Sequence, residues 1–139
     1  DDQYIQKAFQ TAGLNYGQQL KNYAQSPLIA NDALTQKPIQ SFERVSQIWV
    51  KGEAKVRSYA TPENAFADLK RLQKNGKAVR VVYNQDRNLK IKLLANLAWY
   101  ATDKGGQLNA FLLRGDANNW AKSHGGKVYD FNNAQKLVK

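Results

Sequence analysis

A helix start, a glycine stop and a closing apolar strand follow one another twice in this chain, and this repetition constrains the fold most strongly. In the first copy, Thr61 and Pro62 are typical of a helix N-cap and a first helical position. Gly76 ends that helix, and the β-branched run 78–83 predicts a buried strand. The order helix, glycine, strand therefore defines one structural unit.

The second copy lies further along the chain. Asp116 is expected to cap a short helix, Gly125 and Gly126 to end it, and residues 127–131 to form the closing strand. Extended segments precede each helix, at 47–50, 55–59, 89–100 and 107–113, and within them residues 95–98 could equally be helical. We therefore predict an α+β fold that contains two β-β-α-β units, at 46–84 and 88–131.

The first third of the chain has a different pattern. Apolar residues recur every three or four positions and predict a helix: Ile5, Phe9, Ala12, Tyr16, Leu20 and Tyr23. Residues 26–39 hold two of the three prolines and read as a connector. The prediction is a helical arm and connector over 1–45, packed through Phe9, Tyr16 and Leu20 on an α+β domain over 46–139.

The amino-acid composition excludes several kinds of functional site. The 139 residues include no cysteine, no methionine and a single histidine, so thiolate metal sites, disulfides and cysteine nucleophiles are excluded. We expect no metal site and no cofactor. No apolar run approaches the roughly 20 residues needed to span a bilayer.

The net charge of +10 is concentrated in the second part of the chain. Residues 51–139 hold 17 of the 21 basic residues against 7 acidic ones, whereas residues 1–50 are neutral. A field of this sign attracts polyanions such as nucleic acid, or an acidic protein partner. The alternative is a solvated face that serves only solubility.

One short stretch contains eight of these basic residues: Lys70, Arg71, Lys74, Lys77, Arg80, Arg87, Lys90 and Lys92. Strand alternation predicts that Arg80, Lys90 and Lys92 share one sheet face, with Arg87 at its edge. We expect this face to contact the polyanion. Trp49, Trp99 and Trp120 lie in apolar stretches, where core packing is the expected role.

A catalytic set is also conceivable around His124. A metal-independent ribonuclease needs a base, a cation for the phosphate charge and a proton donor, which His124, Arg114 and Lys122 could supply. The competing interpretation is a packed or capping histidine at a helix C-terminus.

The segment AFLLRGDANNWAKSHGGKVYDFNNA resembles the C-terminal half of the NosL family, the copper accessory lipoproteins of nitrous oxide reductase. The matching positions are Phe111, Asp116, Ala117, Trp120, Ala121, His124, Gly125, Gly126, Val128 and Phe131. The resemblance implies two β-β-α-β repeats and an extracytoplasmic protein. Copper handling in that family uses cysteine and methionine, which this sequence lacks, so the resemblance implies no metal site here.

Three functions therefore remain open. The first is a polyanion-binding domain that contacts nucleic acid through the basic sheet face. The second is the small ribonuclease domain of a secreted antibacterial toxin. The third is an extracytoplasmic accessory protein with a protein partner. The sequence favours a secreted or periplasmic location.

Overall fold

The first of two antiparallel sheets is built around strand β1. A computed structural model describes residues 30–139. The sheet has the order β2-β1-β3-β4. Its strands are β1 (Ser46–Val50), β2 (Arg57–Tyr59), β3 (Val79–Gln85) and β4 (Lys92–Leu94). The predicted arm, with Phe9, Tyr16 and Leu20, lies outside the described residues.

The second sheet has three strands in the order β6-β5-β7. They are β5 (Trp99–Thr102), β6 (Leu108–Phe111) and β7 (Val128–Tyr129), and a short 3-10 turn at Ala95–Leu97 leads into β5. The helices are α1 (Pro62–Lys74), α2 (Arg114–His124) and α3 (Phe131–Lys136).

The two halves share one topology. In each half the first strand pairs antiparallel with both the second and the third, and the helix connects the second strand to the third. The α+β fold and the order β-β-α-β in each half are therefore confirmed. Strand β4, which falls within the predicted second unit, pairs instead with β3 in the first sheet.

Helix α1 forms as its sequence predicts. The Thr61 hydroxyl accepts a hydrogen bond from the Asn64 amide, Pro62 occupies the first turn, and Asn75 follows the last one. Its apolar stripe includes Phe66, which is fully buried and packs edge-to-face at 5.6 Å against Tyr100 of the second sheet. The largest apolar cluster therefore includes residues from both halves.

A turn that opens the first half is held by a buried carboxylate. Asp32 Oδ1 accepts hydrogen bonds from the Leu34 and Thr35 amides at 2.8 and 3.0 Å. Its Oδ2 accepts from the amide of Ala60, directly after β2, and from the side chain of Asn64, both at 2.8 Å. The turn that precedes β1 is thereby joined to the start of α1.

The second half opens with an equivalent turn. Asp86 Oδ1 accepts from the Asn88 and Leu89 amides at 2.7 and 2.6 Å, and Oδ2 accepts from the Leu112 amide at 2.7 Å, directly after β6. Four residues after each aspartate, Gln36 and Lys90 have positive φ angles of 64° and 56°. The duplicated pattern thus starts upstream of the strands in each half.

Three local predictions were wrong. The Asp86 turn occupies the beginning of the stretch predicted as extended, so β4 starts only at Lys92. Asp116 does not cap α2, because that helix begins at Arg114 after Leu113, and Asp116 lies in its first turn near the positive end of the helix dipole.

The predicted closing strand over 127–131 is shorter than expected. Asp130 accepts a hydrogen bond from the Asn133 amide at 2.9 Å and so caps α3, which starts at Phe131. The cap diverts the chain from the sheet after Tyr129.

Candidate functional site

The structure distributes the eight predicted basic residues over several elements: Arg80 and Lys92 lie on strands of the first sheet, and the others lie on α1 and in loops. Strand β3 runs from Val79 to Gln85, so Arg80 and Arg87 lie about 20 Å apart at roughly 3.3 Å per residue. Arg80 lies over Trp49 and Lys92 over Tyr83, on one face of the sheet, whereas Lys90 lies outside the strands, so only part of the expected face is formed.

One end of the sheet gathers basic residues from several segments of the chain. The Lys51 amide, in the turn between β1 and β2, donates to the Ala78 carbonyl at 2.9 Å. The Lys77 amide donates to the Leu72 carbonyl at 2.9 Å. This bond closes the turn after α1, and the chain then enters β3 beside Lys51. We call the exposed cations of this region the basic end, and its members are Lys51, Arg71, Lys74, Lys77 and Arg80.

Arg80 is held on an aromatic platform. The register of the β1–β3 pair shifts between Trp49 and Val50, which leaves Arg80 as the extra residue of a bulge. Its guanidinium carbon lies 5.4 Å from the centre of the Trp49 ring. Trp49 is 38% exposed, so its predicted core role is wrong: in β1 it points to the sheet face opposite the buried Ile48 and Val50.

The acidic residue beside the basic end is already paired. Both carboxylate oxygens of Glu53 accept from Arg57, at 2.9 and 2.8 Å. This hydrogen bonding holds the pKa of Glu53 below its ordinary value, so the side chain is an anion at neutral pH. Arg57 also pairs with Asp68 at 3.3 Å, and the five exposed basic residues outnumber these paired carboxylates, so the field of the basic end stays positive.

Two of the other predicted basic residues interact with neighbouring groups. Lys70 donates its ammonium to the Val138 carbonyl near the C-terminus. Arg87 forms an ion pair of 2.7 Å with Glu43.

The remaining two lie away from the basic end. Lys92 Nζ lies 3.8 Å from the Tyr83 ring centre, and burial lowers its pKa. Lys90 occupies the turn after Asp86, so its predicted place on a strand was wrong.

The structure does not bring the proposed ribonuclease residues together. Arg114 and His124 are the first and last residues of α2, so their backbones lie about 15 Å apart at 1.5 Å per residue. The His124 ring stacks on Trp120 at 3.7 Å, and its Nδ1 lies 2.7 Å from the Trp120 carbonyl oxygen. Arg114 lies over the Trp99 ring at 4.6 Å, and Lys122 is exposed.

The residues that the structure describes contain neither a metal-binding cluster nor a helix that could span a membrane. Between residues 30 and 139, His and acidic side chains nowhere form a group of three or more that could hold a metal ion. Over the same residues, no helix has the length and apolar character to cross a membrane.

Sequence reasoning missed Lys51 as a member of the basic end. The turn at Lys51 and Gly52 was predicted, but its position beside residues 77 and 78 depends on how β1 pairs with β3. No local signal encodes that register. Pairing the apolar segments 47–50 and 78–83 in alternative registers could have placed Lys51 beside residues 77 and 78.

The fold has a solved counterpart. The chain is similar to the crystal structure of the copper chaperone NosL from Shewanella denitrificans, with a TM-score of 0.63 and 21% identity over 77% of this chain and 90% of that one. This similarity establishes a NosL-like fold. No protein-family model and no curated protein matches the chain.

This sequence lacks the side chains that bind cuprous copper most strongly. Cuprous ion prefers the soft sulfur of cysteine and methionine, and the 139 residues contain neither. The NosL-like fold therefore occurs here in a sequence without sulfur-containing side chains.

Proposed function

We propose that this protein is a binding protein with a NosL-like fold, and that its basic end holds an acidic surface of a protein partner. One observation carries the proposal: five exposed cations from the β1–β2 turn, α1, the loop that follows α1 and β3 lie at one end of a sheet, while the adjacent Glu53 is paired with Arg57. Such a field accelerates encounter with an acidic partner and selects its orientation.

The geometry of the basic end is preorganised for contact. Lys77 and Arg80 are fixed by the return from α1 and by the bulge in β3, and Trp49 orients the Arg80 guanidinium. A guanidinium held on a ring loses less conformational entropy when it forms a bidentate pair with a carboxylate. Arg80 is therefore the expected centre of the contact, and the lysines surround it.

Two observations favour a protein partner over nucleic acid. Binding of single-stranded nucleic acid uses several open aromatic rings on which bases stack. At the basic end the exposed ring is Trp49, and Arg80 already lies over it. The likeness to a protein described as a copper chaperone also favours a protein partner.

The experiment compares two polyanions of equal length. We expect a 20-residue poly-glutamate peptide to bind at 20 mM salt, with affinity that falls steeply as salt rises because exposed charges are screened. A 20-nucleotide RNA, titrated in the same buffers, serves as the comparison. Poly-glutamate that binds with an affinity at least equal to that of RNA supports a protein partner.

Two results would contradict the proposal. RNA that binds more than tenfold tighter than poly-glutamate at every salt concentration would assign the basic end to nucleic acid. If neither polymer binds at 20 mM salt, the basic end is a solvated surface that does not bind a partner.

A further inference from the structure

The first sheet has two faces, and one of them packs against α1. Ile48 and Val50 of β1 are buried in the largest apolar cluster together with Leu69 of α1. Directly opposed side chains of antiparallel strands lie on the same face, so Val82, opposite Ile48, also belongs to this side. We call the other side of the sheet the outer face. Alternation and register give its side chains as Gln47, Trp49, Val81, Tyr83, Gln85, Lys92 and Leu94.

The outer face has the composition of a covered surface. Val81, Tyr83 and Leu94 are only partly exposed, and they belong to none of the apolar clusters formed by residues 30–139. Gln85 is 6% exposed, and its Oε1 has no hydrogen-bond partner among the same residues. A solvated face of an antiparallel sheet is polar, whereas this face is largely aliphatic and aromatic. It is therefore suited to packing against a further element.

The described part of the chain begins at one end of the outer face. The Gln85 amide donates to the Val45 carbonyl at 3.1 Å, which extends the β1–β3 pairing to Val45. Val45 precedes Gln47 by two residues, so both side chains point to the outer face. Ala30 packs in the same apolar cluster as Val45. The 29 residues that precede Ala30 therefore join the domain beside this face.

The length of the preceding segment fits the dimensions of the outer face. The helix predicted for residues 5–23 would be about 28 Å long at 1.5 Å per residue. From Val45 to Trp49 the face extends about 13 Å along β1, at roughly 3.3 Å per residue. Residues 24–29 can span up to about 20 Å, which is enough chain to place the helix over the sheet.

We propose that residues 5–23 pack as an amphipathic helix on the outer face, with Phe9, Tyr16 and Leu20 directed at the sheet. The segment is tethered beside the face, so its effective concentration there exceeds that of a second copy or a separate protein. The helix buries its apolar stripe, and the sheet gains a layer on its second side. This inference goes beyond the proposed function, and different measurements test the two.

The absence of cysteine lets two introduced thiols report the contact. We expect a short bismaleimide to join Tyr16→Cys to Val81→Cys within one chain, with a yield at least fivefold above that for Gln18→Cys with Val81→Cys. Gln18 lies on the opposite side of the predicted helix and is the matched control. Tyr16→Cys with Ser123→Cys, on the exposed surface of α2, controls for random encounter and should also give the low yield.

Thiol labelling of Val81→Cys provides a second measurement. Phe9→Asp with Leu20→Asp should raise the labelling rate at least fivefold, because carboxylates are not buried against an apolar face without partners. Thr11→Asp with Gln18→Asp makes the same change in charge on the opposite side of the helix and should alter the rate less than twofold. Hydrogen exchange of the β5 amides should stay unchanged in both variants, which separates undocking of the segment from global unfolding.

Three results would overturn the inference. Equal cross-linking yields for Tyr16→Cys and Gln18→Cys would show that the segment has no preferred side toward the sheet. A product that joins two chains would assign the outer face to a second copy. Labelling of Val81→Cys as fast as that of Ser123→Cys, in the otherwise unchanged protein, would show an uncovered face. If the charge variants accelerate exchange of the β5 amides, the cross-linking yields decide.

Discussion

The carboxylates of Asp32 and Asp86 make equivalent hydrogen bonds in the two halves of the protein. Each accepts from the amides two and three residues ahead, and each reaches the amide that directly follows the second strand of its half. Both side chains are fully or almost fully buried. These two residues therefore fix where each β-β-α-β unit begins.

Replacement of Asp86 by alanine should destabilise the fold strongly. The substitution leaves the backbone amides of Asn88, Leu89 and Leu112 without their acceptor, and we expect a loss of about 3 kcal/mol in the free energy of unfolding. The control is Asp103→Ala, which removes one exposed hydrogen bond to Gln107 and should cost less than about 1 kcal/mol. Urea unfolding of both variants measures the difference, and equal losses would contradict a special role for Asp86.

Asp32 should make stability depend on pH in the acid range. Burial works to raise the pKa of this carboxyl, but hydrogen bonds from Ala60, Asn64, Thr35 and Leu34 outweigh it and hold the pKa below the ordinary value of 3.8. The stabilisation is therefore present above about pH 3.8 and is lost as the pH falls through the lower folded-state value.

Asp32→Asn isolates this contribution. We expect the variant to be about 2 kcal/mol less stable than the wild type at pH 7, and the difference to shrink toward pH 2. Thermal unfolding across this pH range provides the measurement. A difference that stays constant with pH would show that the Asp32 carboxylate is not stabilised by its hydrogen bonds.

Gly126 should tolerate no side chain. A Cβ built at this position lies 1.6 Å from the Thr102 carbonyl oxygen, a backbone atom that cannot move aside without disrupting β5. We expect Gly126→Ala to lower the free energy of unfolding by about 3 kcal/mol or more. Gly115→Ala, in α2 with open space around it, should instead raise stability by about 0.5 kcal/mol. Comparable midpoints for the two variants in thermal melts would contradict this packing.

We expect the protein not to cleave RNA through His124. Its ring is engaged with Trp120 by stacking and by the contact of Nδ1 with the carbonyl oxygen, and Arg114 lies at the far end of the helix. We expect wild type and His124→Ala to leave a labelled RNA intact for the same time as buffer alone. Cleavage by the wild type that disappears in the variant would restore the ribonuclease hypothesis.

Local signals predicted the parts of the fold that depend on local chemistry. Helix α1 was located because Thr61, Pro62 and Gly76 act within one turn of their positions. The Asp32 and Asp86 turns were not predicted, because the residues with left-handed backbone angles in them are Gln36 and Lys90 rather than glycine. Their tertiary partners lie 28 and 26 residues away.

The candidate site was predicted only in part for the same physical reason. Arg71, Lys74, Lys77 and Arg80 are neighbours in the sequence and stay together because the chain reverses between α1 and β3. Lys51 joins them through strand pairing, and Lys90 leaves the set because the Asp86 turn replaces the expected strand. Charge density along the chain thus located half of the predicted basic set, and sheet register decided the remainder.

The central claim is that the acidic partner binds at the basic end, and that the net charge of the whole protein does not by itself account for binding. The direct measurement compares poly-glutamate binding at 20 mM salt by two triple variants of equal net charge. The first is Lys74→Glu with Lys77→Glu and Arg80→Glu, and the second reverses the exposed lysines of the other half, Lys104→Glu, Lys122→Glu and Lys127→Glu. We predict at least a tenfold loss of affinity in the first variant and less than a threefold loss in the second, and equal losses would contradict a localised binding surface.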